Sequence, residues 1–538
     1  MLSLKLSLNA GHGLSVAVLA IGVTGLASPV SAITINAPEV PALHSGNIEH
    51  CDEAVATREF DETFECGDEL FATVFNAVDG VGINVGDGGR FTRVPRADLN
   101  GTLQWNRNIP ARITGPNGQA CEECHAVPIG DGAGFINSNV IRDPQHAGTP
   151  NRFVQRNTPQ VLALSGLQRL AEEMNTDLLA DERRAISTAC PADRSQRRNV
   201  TVILDSKGVS FGSVTANASP TASRCPTSVV RNVHGVDQDL VIKPFQWKGV
   251  EPSVRSFNRG ASHNELGMQP VELTGDDVDG DGDGVRNEMT IADMTALAVY
   301  LAGQPRPVTL IELDILRQML NAMGAAGQAE AIRLGLPTLT SAQRSAIANG
   351  AVRFAQAQCA TCHRPVLIVN NPIFSEPSQN PSYRDVTFPA GQNPRTRGVD
   401  PANPIAFHIR NDPPDNVIAV NGAVVARLGG FPRGAGDTSL IPLFGDLKRH
   451  NMGPGLAENV DEQGFGASVW LTTELWGVGS TAPYLHDGRA TTLTEAILEH
   501  DGEGAVSRAA FRSLSATDKA DLLSFLNNLV LFKAPEEE

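Results

Sequence analysis

The stretch Cys121-Glu-Glu-Cys124-His125 decides the fold, and it has a counterpart, Cys359-Ala-Thr-Cys362-His363, later in this chain of 538 residues. Two thiols at this spacing can add to the two vinyl groups of a haem, and the histidine that follows can bind the haem iron as its proximal ligand. The sequence therefore predicts two covalently bound haems of the c type, one at each pentapeptide.

A C-x-x-C pair alone has two other common uses, a redox-active dithiol and one half of a zinc site. Neither use requires a histidine directly after the second cysteine. Because this histidine occurs twice, in a chain whose first residues resemble an export signal, we interpret both pentapeptides as haem sites.

The first 32 residues have the pattern of an export signal. Lys5 is their only charged residue, an apolar run covers residues 14–23, and Val30-Ser31-Ala32 offers small side chains for cleavage. The apolar run is too short to span a bilayer, and no later stretch is long enough. We expect a signal peptide cleaved near Ala32 and a soluble, periplasmic mature protein without a membrane anchor.

Four cysteines lie outside the pentapeptides, namely Cys51, Cys66, Cys190 and Cys225. In an oxidising compartment such thiols pair, and three connectivities are open to four of them. The pairing that closes the shortest loops, Cys51 with Cys66 and Cys190 with Cys225, is the one we predict. The alternative is that one or more of them stay reduced.

The chain is acidic, with a formal net charge of −17 at pH 7. Such a surface repels nucleic acid and anionic lipid, so neither is an expected partner. Its long-range field can steer a basic redox partner, whereas the simpler explanation of the charge is solubility.

The composition favours a mainly α fold with long loops and little sheet. The chain has 51 glycines and 34 prolines and few aromatic residues, so much of it must be loop. In cytochrome c domains a few helices wrap the cofactor, and the haem fills much of the core. We therefore expect two cytochrome c-like domains, each wrapping one haem.

Two helices are predicted to bracket the second pentapeptide. Residues 341–354 open on Ser341 as a cap and direct Ile347, Val352 and Phe354 towards Cys359. Near the carboxy terminus, Ser515-Ala-Thr-Asp518 has the pattern of a capping box. The apolar residues that follow it at helical spacing are Leu522, Phe525, Leu526, Leu529 and Val530.

A similar closing helix is predicted over residues 290–301, just before Pro305 and Pro307. Two prolines so close together cannot continue a helix. We therefore place the domain boundary there, which gives an amino-terminal domain of residues 33–305 and a carboxy-terminal domain of residues 306–538. Each domain then contains one pentapeptide.

A calcium loop is predicted at residues 277–288, which fit the twelve-residue D-x-D-x-D-G-x5-E pattern. Oxygen ligands at alternate positions of a glycine-rich turn can converge on one Ca²⁺. A register shifted to start at Asp279 and to include Asn287 is the alternative, and a solvated acidic loop is another. The predicted ligands are Asp277, Asp279, Asp281, Asp283 and Glu288.

The sixth ligand of each iron decides between an electron carrier and a site open to substrate. His500 shares one predicted helical face with Leu493, Ala496 and Ile497, so it points to where a buried haem would lie. Spacing alone also fits a structural histidine or a helix C-terminal cap.

Several stretches resemble the bacterial di-haem cytochrome c peroxidase superfamily, and within it the di-haem oxidoreductase branch, often labelled thiol oxidoreductase-like. The clearest is Trp476-Gly-Val-Gly-Ser-Thr-Ala-Pro-Tyr484-Leu-His486-Asp-Gly-Arg489, which is followed by Leu493, Glu495-Ala-Ile and His500. The other similar stretches lie at 156–159, 167–174 and 446–453. The resemblance covers nearly all of the mature chain, but its motifs are less specific for substrate than for membership.

The resemblance implies that His500 is the sixth ligand of the carboxy-terminal haem. The family commonly has Met at this position, and Met452 is the alternative ligand in this chain. Because a Met ligand raises the potential of a c-type haem, a His363/His500 pair should make this haem a poorer acceptor of electrons from high-potential donors.

For the first haem, the resemblance places Trp247 at an aromatic position near the haem and Glu265 at the acid of the peroxide pocket. Lys248 departs from the family, which usually has an acid there. Cleavage of a bound peroxide needs a proton taken from one oxygen and given to the other, and a carboxyl with a raised pKa can do both. From the residues alone, Glu265 fits a surface helix equally well.

In the relatives, a histidine on a loop after the first pentapeptide can block the first iron. His146 lies in such a loop, His263 competes for the role, and an open five-coordinate iron is the third option. The resemblance thus implies a peroxidase-like enzyme that takes electrons from a small donor, a cytochrome c or a cupredoxin, at the haem of His363. These electrons pass by way of Trp247 to a small oxidant such as hydrogen peroxide at the haem of His125.

Two other functions stay open at this point. One is a pure electron carrier, with both irons six-coordinate in every redox state. The other is a di-haem enzyme that oxidises a protein or an organic substrate.

Overall fold

The computed structural model describes residues 48–84, 90–91, 116–128, 130, 132–134, 139–145, 147, 149–384, 388–389 and 391–535. The predicted signal peptide and His146 lie outside these residues. None of the helices in the described ranges is long and apolar enough to cross a membrane.

Helices are the main regular structure of the described residues. Five of them (α4, α6, α7, α9 and α10) begin with a complete capping box, in which the first side chain and the one three positions on satisfy each other's backbone N–H. The helices are α1 (Asp52–Thr57), α2 (Phe60–Ala72), α3 (Leu164–Ala189), α4 (Val254–Ala261), α5 (Val271–Thr274), α6 (Ile291–Gly303), α7 (Leu310–Ala322), α8 (Ala325–Arg333), α9 (Ser341–Gln356), α10 (Leu493–Glu499), α11 (Ala505–Ser513) and α12 (Ala516–Asn527).

Strands are short and pair only antiparallel in the part of the chain that the structure describes. They form one three-stranded sheet, β5-β6-β7, and seven pairs, β1-β2, β3-β4, β8-β17, β9-β14, β10-β11, β12-β13 and β15-β16. Their bounds are β1 (Ile83–Asn84), β2 (Arg90–Phe91), β3 (Val140–Arg142), β4 (Val154–Arg156), β5 (Val200–Ser206), β6 (Val209–Asn217), β7 (Ser228–Val233), β8 (Val308–Thr309), β9 (Leu367–Val369), β10 (Ile373–Glu376), β11 (Ile405–His408), β12 (Val417–Val420), β13 (Ala423–Arg427), β14 (Ser439–Ile441), β15 (Arg449–Asn451), β16 (Val469–Leu471) and β17 (Leu529–Val530).

The predicted closing helix before the two prolines is confirmed as α6. Thr290 caps it, and it ends at Gly303, two residues before Pro305. Its residues are buried on nearly every side, because α2 and α4 pack against it. The helix is therefore a central element of the amino-terminal core.

The two helices predicted around the second pentapeptide form, with three corrections. Thr340, not Ser341, caps α9, because its hydroxyl accepts from the N–H of Gln343. Val352 is 53% exposed, since it lies on the opposite side of the helix from Phe354. The last two apolar residues of the closing stretch are not helical, because they form β17 and pair with β8.

Each pentapeptide lies beside a pair of helices that cross at a glycine. A Cβ on Gly67 of α2 would collide with the Ala296 carbonyl oxygen of α6. A Cβ on Gly350 of α9 would collide with the Asp521 carbonyl oxygen of α12. The absence of a side chain at these two points lets the helix backbones approach closely.

Residues from both predicted domains share one core. Tyr383 is fully buried, and its hydroxyl lies 2.8 Å from the Ala171 carbonyl oxygen and 2.6 Å from that of Ile242. Residues Val40–Glu538 form one compact unit. The boundary at residue 305 stays a prediction.

The predicted disulfides, Cys51–Cys66 and Cys190–Cys225, are both formed. The second joins the end of α3 to the loop between β6 and β7. The sheet β5-β6-β7 packs on α3. This sheet is not predicted from the sequence, because its strands expose one face and carry mixed polar and apolar residues.

Candidate haem sites

The two pentapeptides adopt similar turns. The His125 N–H donates to the Cys121 carbonyl at 3.0 Å, and the His363 N–H donates to the Cys359 carbonyl at 2.9 Å. In each turn the ring Nδ1 donates to a backbone carbonyl, Gly132 for His125 at 2.8 Å and Phe444 for His363 at 3.1 Å. For His363 this bond favours the tautomer that leaves Nε2 unprotonated, as in metal-bound histidines.

The motif cysteines lack the chemistry of a redox dithiol. Burial raises the pKa of Cys121 to about 12 and that of Cys359 to about 11, whereas reactive C-x-x-C thiols have lowered pKa values. The four motif cysteines form no disulfide. Both observations fit thiols that are used for thioether bonds.

A cavity of about 450 Å³ lies against the second pentapeptide. Its wall includes His363, His500 and the three apolar residues predicted to share a face with His500. The rings of His363 and His500 have centroids 6.4 Å apart. With Nδ1 of His500 donating to the Ala496 carbonyl at 2.8 Å, both Nε2 atoms are left for metal binding.

The separation of these two rings fits one iron between them. A metal–nitrogen bond of about 2 Å on each side, plus the distance from each nitrogen to its ring centre, adds up to roughly 6 Å. Burial lowers the pKa of His363 to about 4 and also lowers that of His500. Both rings are therefore neutral at pH 7, which is the form that binds metal.

Met452 and His450 also line this cavity. His450 is not available as a ligand, since Nδ1 contacts Glu503 at 2.8 Å and Nε2 contacts Asp446 at 2.9 Å. Burial opposes its charge, but the interactions with Asp446 and with the Cys362 sulfur prevail and together raise the pKa of His450 to about 11. The imidazolium lies within 4.8 Å of the Cys362 sulfur, so it places a positive charge beside the second haem site.

A smaller cavity, of about 140 Å³, lies against the first pentapeptide. Phe71 of α2 and Leu297 and Leu301 of α6 form its apolar side, and the ring of Phe71 lies 5.9 Å from that of His125. Burial lowers the pKa of His125, so this ring too is neutral. Among the described residues of the wall, His125 is the only imidazole.

Glu265 lies on the wall of the first cavity, within a π-helical turn, Ser262–Leu266, that continues α4. Such wide turns are frequent at functional sites, because they redirect side chains. The Asn117 amide donates to Glu265 Oε2 at 2.5 Å. Burial raises the pKa of this carboxyl to about 7, and Arg142 and Asn117 oppose the rise.

Trp247 lies on the walls of both cavities. Its Nε1 donates to the Asn157 carbonyl at 2.7 Å, and its own carbonyl accepts from the Leu471 N–H at 3.0 Å. Trp247 is thus fixed between a segment of the amino-terminal half and β16. Asn157 and Pro159 also line both cavities.

Of the two candidate blocking histidines, only His263 lies among the described residues, and it does not reach the first cavity. His263 is 4% exposed and lies in the same π-helical turn as Glu265, but it is not part of the cavity wall. His146 lies outside the described residues.

The structure does not gather the five predicted calcium ligands. Carboxylate oxygens of Asp279, Asp281 and Asp283 lie within 4.8 Å of one another. Asp277 is turned away and pairs with Arg286 at 3.0 Å. Glu288 is buried and accepts from the Gln269 N–H at 2.7 Å.

Charged residues on the first cavity wall were missed by sequence reasoning. Arg142 and Arg156 both pair with Glu462, which reaches this wall from the carboxy-terminal half. Arg156 belongs to one of the stretches that resemble the family, and this resemblance was the only sequence signal that could have pointed to it. Nothing in the sequence placed Glu462 near them, because the contact joins residues about 300 positions apart.

One family model matches part of the carboxy-terminal half of the chain. Residues 427–529 match the family model described as "Di-haem oxidoreductase, putative peroxidase". This match confirms the resemblance over those residues, which include His500, and it supports an oxidoreductase with haem cofactors.

One similar solved structure is titled "Crystal structure of a MauG-like protein associated with microbial copper homeostasis". It shares 17% identity, and the match covers 67% of this chain and 88% of that one. Its TM-score is 0.23, which is too low to support a conclusion about this chain. No curated protein matches the chain.

Proposed function

We propose that the chain is a periplasmic di-haem c-type oxidoreductase of the peroxidase type, exported with a signal peptide of residues 1–32. One observation carries this proposal. Trp247 lies between a cavity with two imidazoles, His363 and His500, and a cavity whose described wall has one imidazole, His125, and the protonatable carboxyl of Glu265.

Two haems held by the pentapeptides would supply one-electron storage and a centre for reducing a small oxidant. The paired histidines of the second cavity suit storage, because they leave no free coordination position. The single described imidazole of the first cavity suits substrate. We therefore propose that electrons move from the second cavity to the first by way of Trp247.

Glu265 is the proposed proton carrier for reduction of hydrogen peroxide. With a pKa of about 7, its carboxyl can take a proton from the near oxygen of peroxide and return it to the departing oxygen. Asn117 holds Oε2 through the 2.5 Å hydrogen bond. Arg142 lies on the same wall and favours return to the ionised form.

The electron donor is proposed to be a small cytochrome c or cupredoxin with a basic face. The net charge of −17 favours such a partner. We propose that electrons from this donor enter at the second cavity. Because two histidine ligands give a lower haem potential than a His/Met pair, the donor should have a lower potential than the donors of Met-ligated relatives.

Calcium binding stays a proposal. The carboxylates of Asp279, Asp281 and Asp283 are the candidate ligands that the structure brings together. A Ca²⁺ ion would offset the repulsion among them.

Optical and magnetic spectra of the purified protein test this function. We expect two haems per chain that acid acetone does not release, one low-spin signal, and a high-spin component that reacts with peroxide in the half-reduced protein. A protein with both irons low-spin in every redox state would instead be an electron carrier. Rapid stabilisation of an oxidised state by peroxide without a donor would favour oxidation of a protein or an organic substrate.

A further inference from the structure

Trp470 lies between the Lys248 ammonium and the His486 imidazole, and the Arg156 guanidinium is farther away, 5.5 Å from the ring centroid. Lys248 Nζ is 3.7 Å from the centroid of the Trp470 ring, and the ring of His486 stacks on it with centroids 3.7 Å apart and 18° between the planes. Because one face cannot hold both groups at this distance, the ammonium and the imidazole occupy opposite faces. All three residues are buried: Lys248 is 2% exposed, Trp470 5% and His486 4%.

The ammonium is held on this ring by the segment that leads into β16. Lys248 Nζ donates to the carbonyls of Gly466, Ala467 and Val469 at 3.3, 3.1 and 3.0 Å. Three acceptors match the three N–H bonds of a charged ammonium. The Glu458 carboxylate, 3.5 Å away, also stabilises the charge that burial disfavours.

Trp470 and Trp247 both line the second cavity, but their surroundings differ. Removal of one electron from an indole leaves a radical cation. A fixed ammonium on the ring face repels that positive charge, and burial makes the repulsion strong. Within the described residues no cation lies over the ring of Trp247, whose Nε1 donates to a backbone carbonyl.

We propose that Lys248 keeps Trp470 reduced, so that Trp247 is the indole that carries electrons between the two cavities. The inference rests on the proposed function. Lys248 also lines the first cavity, but its proposed effect acts through Trp470, so it is an electrostatic positioning residue. The lysine that departs from the family's usual acid thereby gains a role.

Without the ammonium, Trp470 becomes a competing source of electrons during reaction with hydrogen peroxide. In the side reaction, the indole is oxidised by two electrons and a hydroxyl group replaces one of its ring hydrogens, while one hydrogen peroxide is consumed and one water is released. The product is a hydroxytryptophan at position 470, which peptide mass spectrometry detects.

The test compares four variants of the holoprotein after exposure to peroxide without a donor. Lys248→Met removes the charge, Lys248→Gln removes it but keeps N–H donors for the carbonyls, and Lys248→Arg keeps it. Lys448→Met is the matched control, because its Nζ lies 6.0 Å from the ring of Phe211. We expect roughly tenfold or more hydroxylation of Trp470 in the Met and Gln variants of Lys248, and wild-type levels in the other two.

Equal oxidation of Trp470 in wild type and in Lys248→Gln would overturn the proposal. If Lys248→Met does not fold, this comparison of Lys248→Gln with wild type is sufficient to test the proposal. Oxidation in Lys248→Arg as high as in Lys248→Gln would overturn it too, because loss of packing rather than of charge would then be the cause. A wild type that does not react with peroxide refutes the proposed function alone. In that case hexachloroiridate, a one-electron oxidant, replaces peroxide, and the same order of oxidation is expected.

Discussion

The two cavities share one design for holding the proximal histidine and differ in what stands opposite to it. In both, a C-x-x-C-H turn presents a neutral imidazole whose Nδ1 donates to a backbone carbonyl. The larger cavity then offers a second imidazole, His500, whereas the smaller one offers the Glu265 carboxyl. The two cavities therefore share the proposed attachment motif, and they differ in the side chains that the rest of each wall supplies.

Loss of one attachment site should have the largest effect and should separate the two cavities. The double change Cys121→Ala and Cys124→Ala should leave one haem per chain with a low-spin spectrum. Cys359→Ala with Cys362→Ala should leave one haem with a high-spin component. Pyridine haemochrome assays after acid acetone give the count, and two remaining haems in either variant would refute covalent attachment there.

Replacing Glu265 by Gln should lower peroxide turnover by about 10²–10⁴-fold, since a positioned general acid–base group contributes that much. Both haem spectra should stay nearly intact. Glu474→Gln is the matched control in the other cavity, where the Glu474 carboxyl accepts from the Gln160 amide at 2.8 Å. If both variants lose activity equally, the acid–base assignment of Glu265 fails.

The pH dependence of turnover should report the same carboxyl. As a base Glu265 must be ionised, and with a pKa of about 7 its ionised fraction falls tenfold per pH unit below that value. We therefore expect kcat/KM to decline as the pH falls below about 7. Steady-state kinetics from pH 5 to pH 8 measure this, and the same limb in Glu265→Gln would assign it to another group.

Changing His500 to Met should raise the potential of the second haem by a measurable part of the roughly 0.8 V that axial ligands span. Changing it to Ala should instead open the iron and add a second high-spin signal. Redox titration followed optically measures both. An unchanged low-spin spectrum in His500→Ala would point to Met452, which lines the same cavity.

Adding a methyl group at either of the two glycines where helices cross should have a similar effect on stability, and this is the smallest effect that we predict. Gly67→Ala and Gly350→Ala should each lower the free energy of unfolding by about 1–3 kcal/mol, because the added Cβ pushes two helix backbones apart. Gly455→Ala is the control, since its Cβ would meet only Glu499 at 3.9 Å, and it should change stability by less than about 0.5 kcal/mol. Thermal unfolding of the three variants decides between these outcomes.

Local sequence signals predicted the elements that depend on neighbours in the chain. The capped α6 and the entry and closing helices of the second site have their side-chain caps and apolar spacing within one or two turns, so they can be found without the fold. One error arose where a distant strand competed. Leu529 and Val530 continue the helical spacing, but they pair with Val308 and Thr309 instead.

By itself, the sequence predicted two haem-attachment sites, because thioether bonds need specific atoms at fixed spacing. It also predicted the pairing of the other cysteines that the structure shows, because short loops close first. It also selected His500 through helical periodicity and resemblance. Only the tertiary structure placed Trp247 between both cavities, turned Asp277 and Glu288 away from one common site, and set Lys248 on Trp470. These positions follow from packing between segments far apart in the chain, which no local pattern encodes.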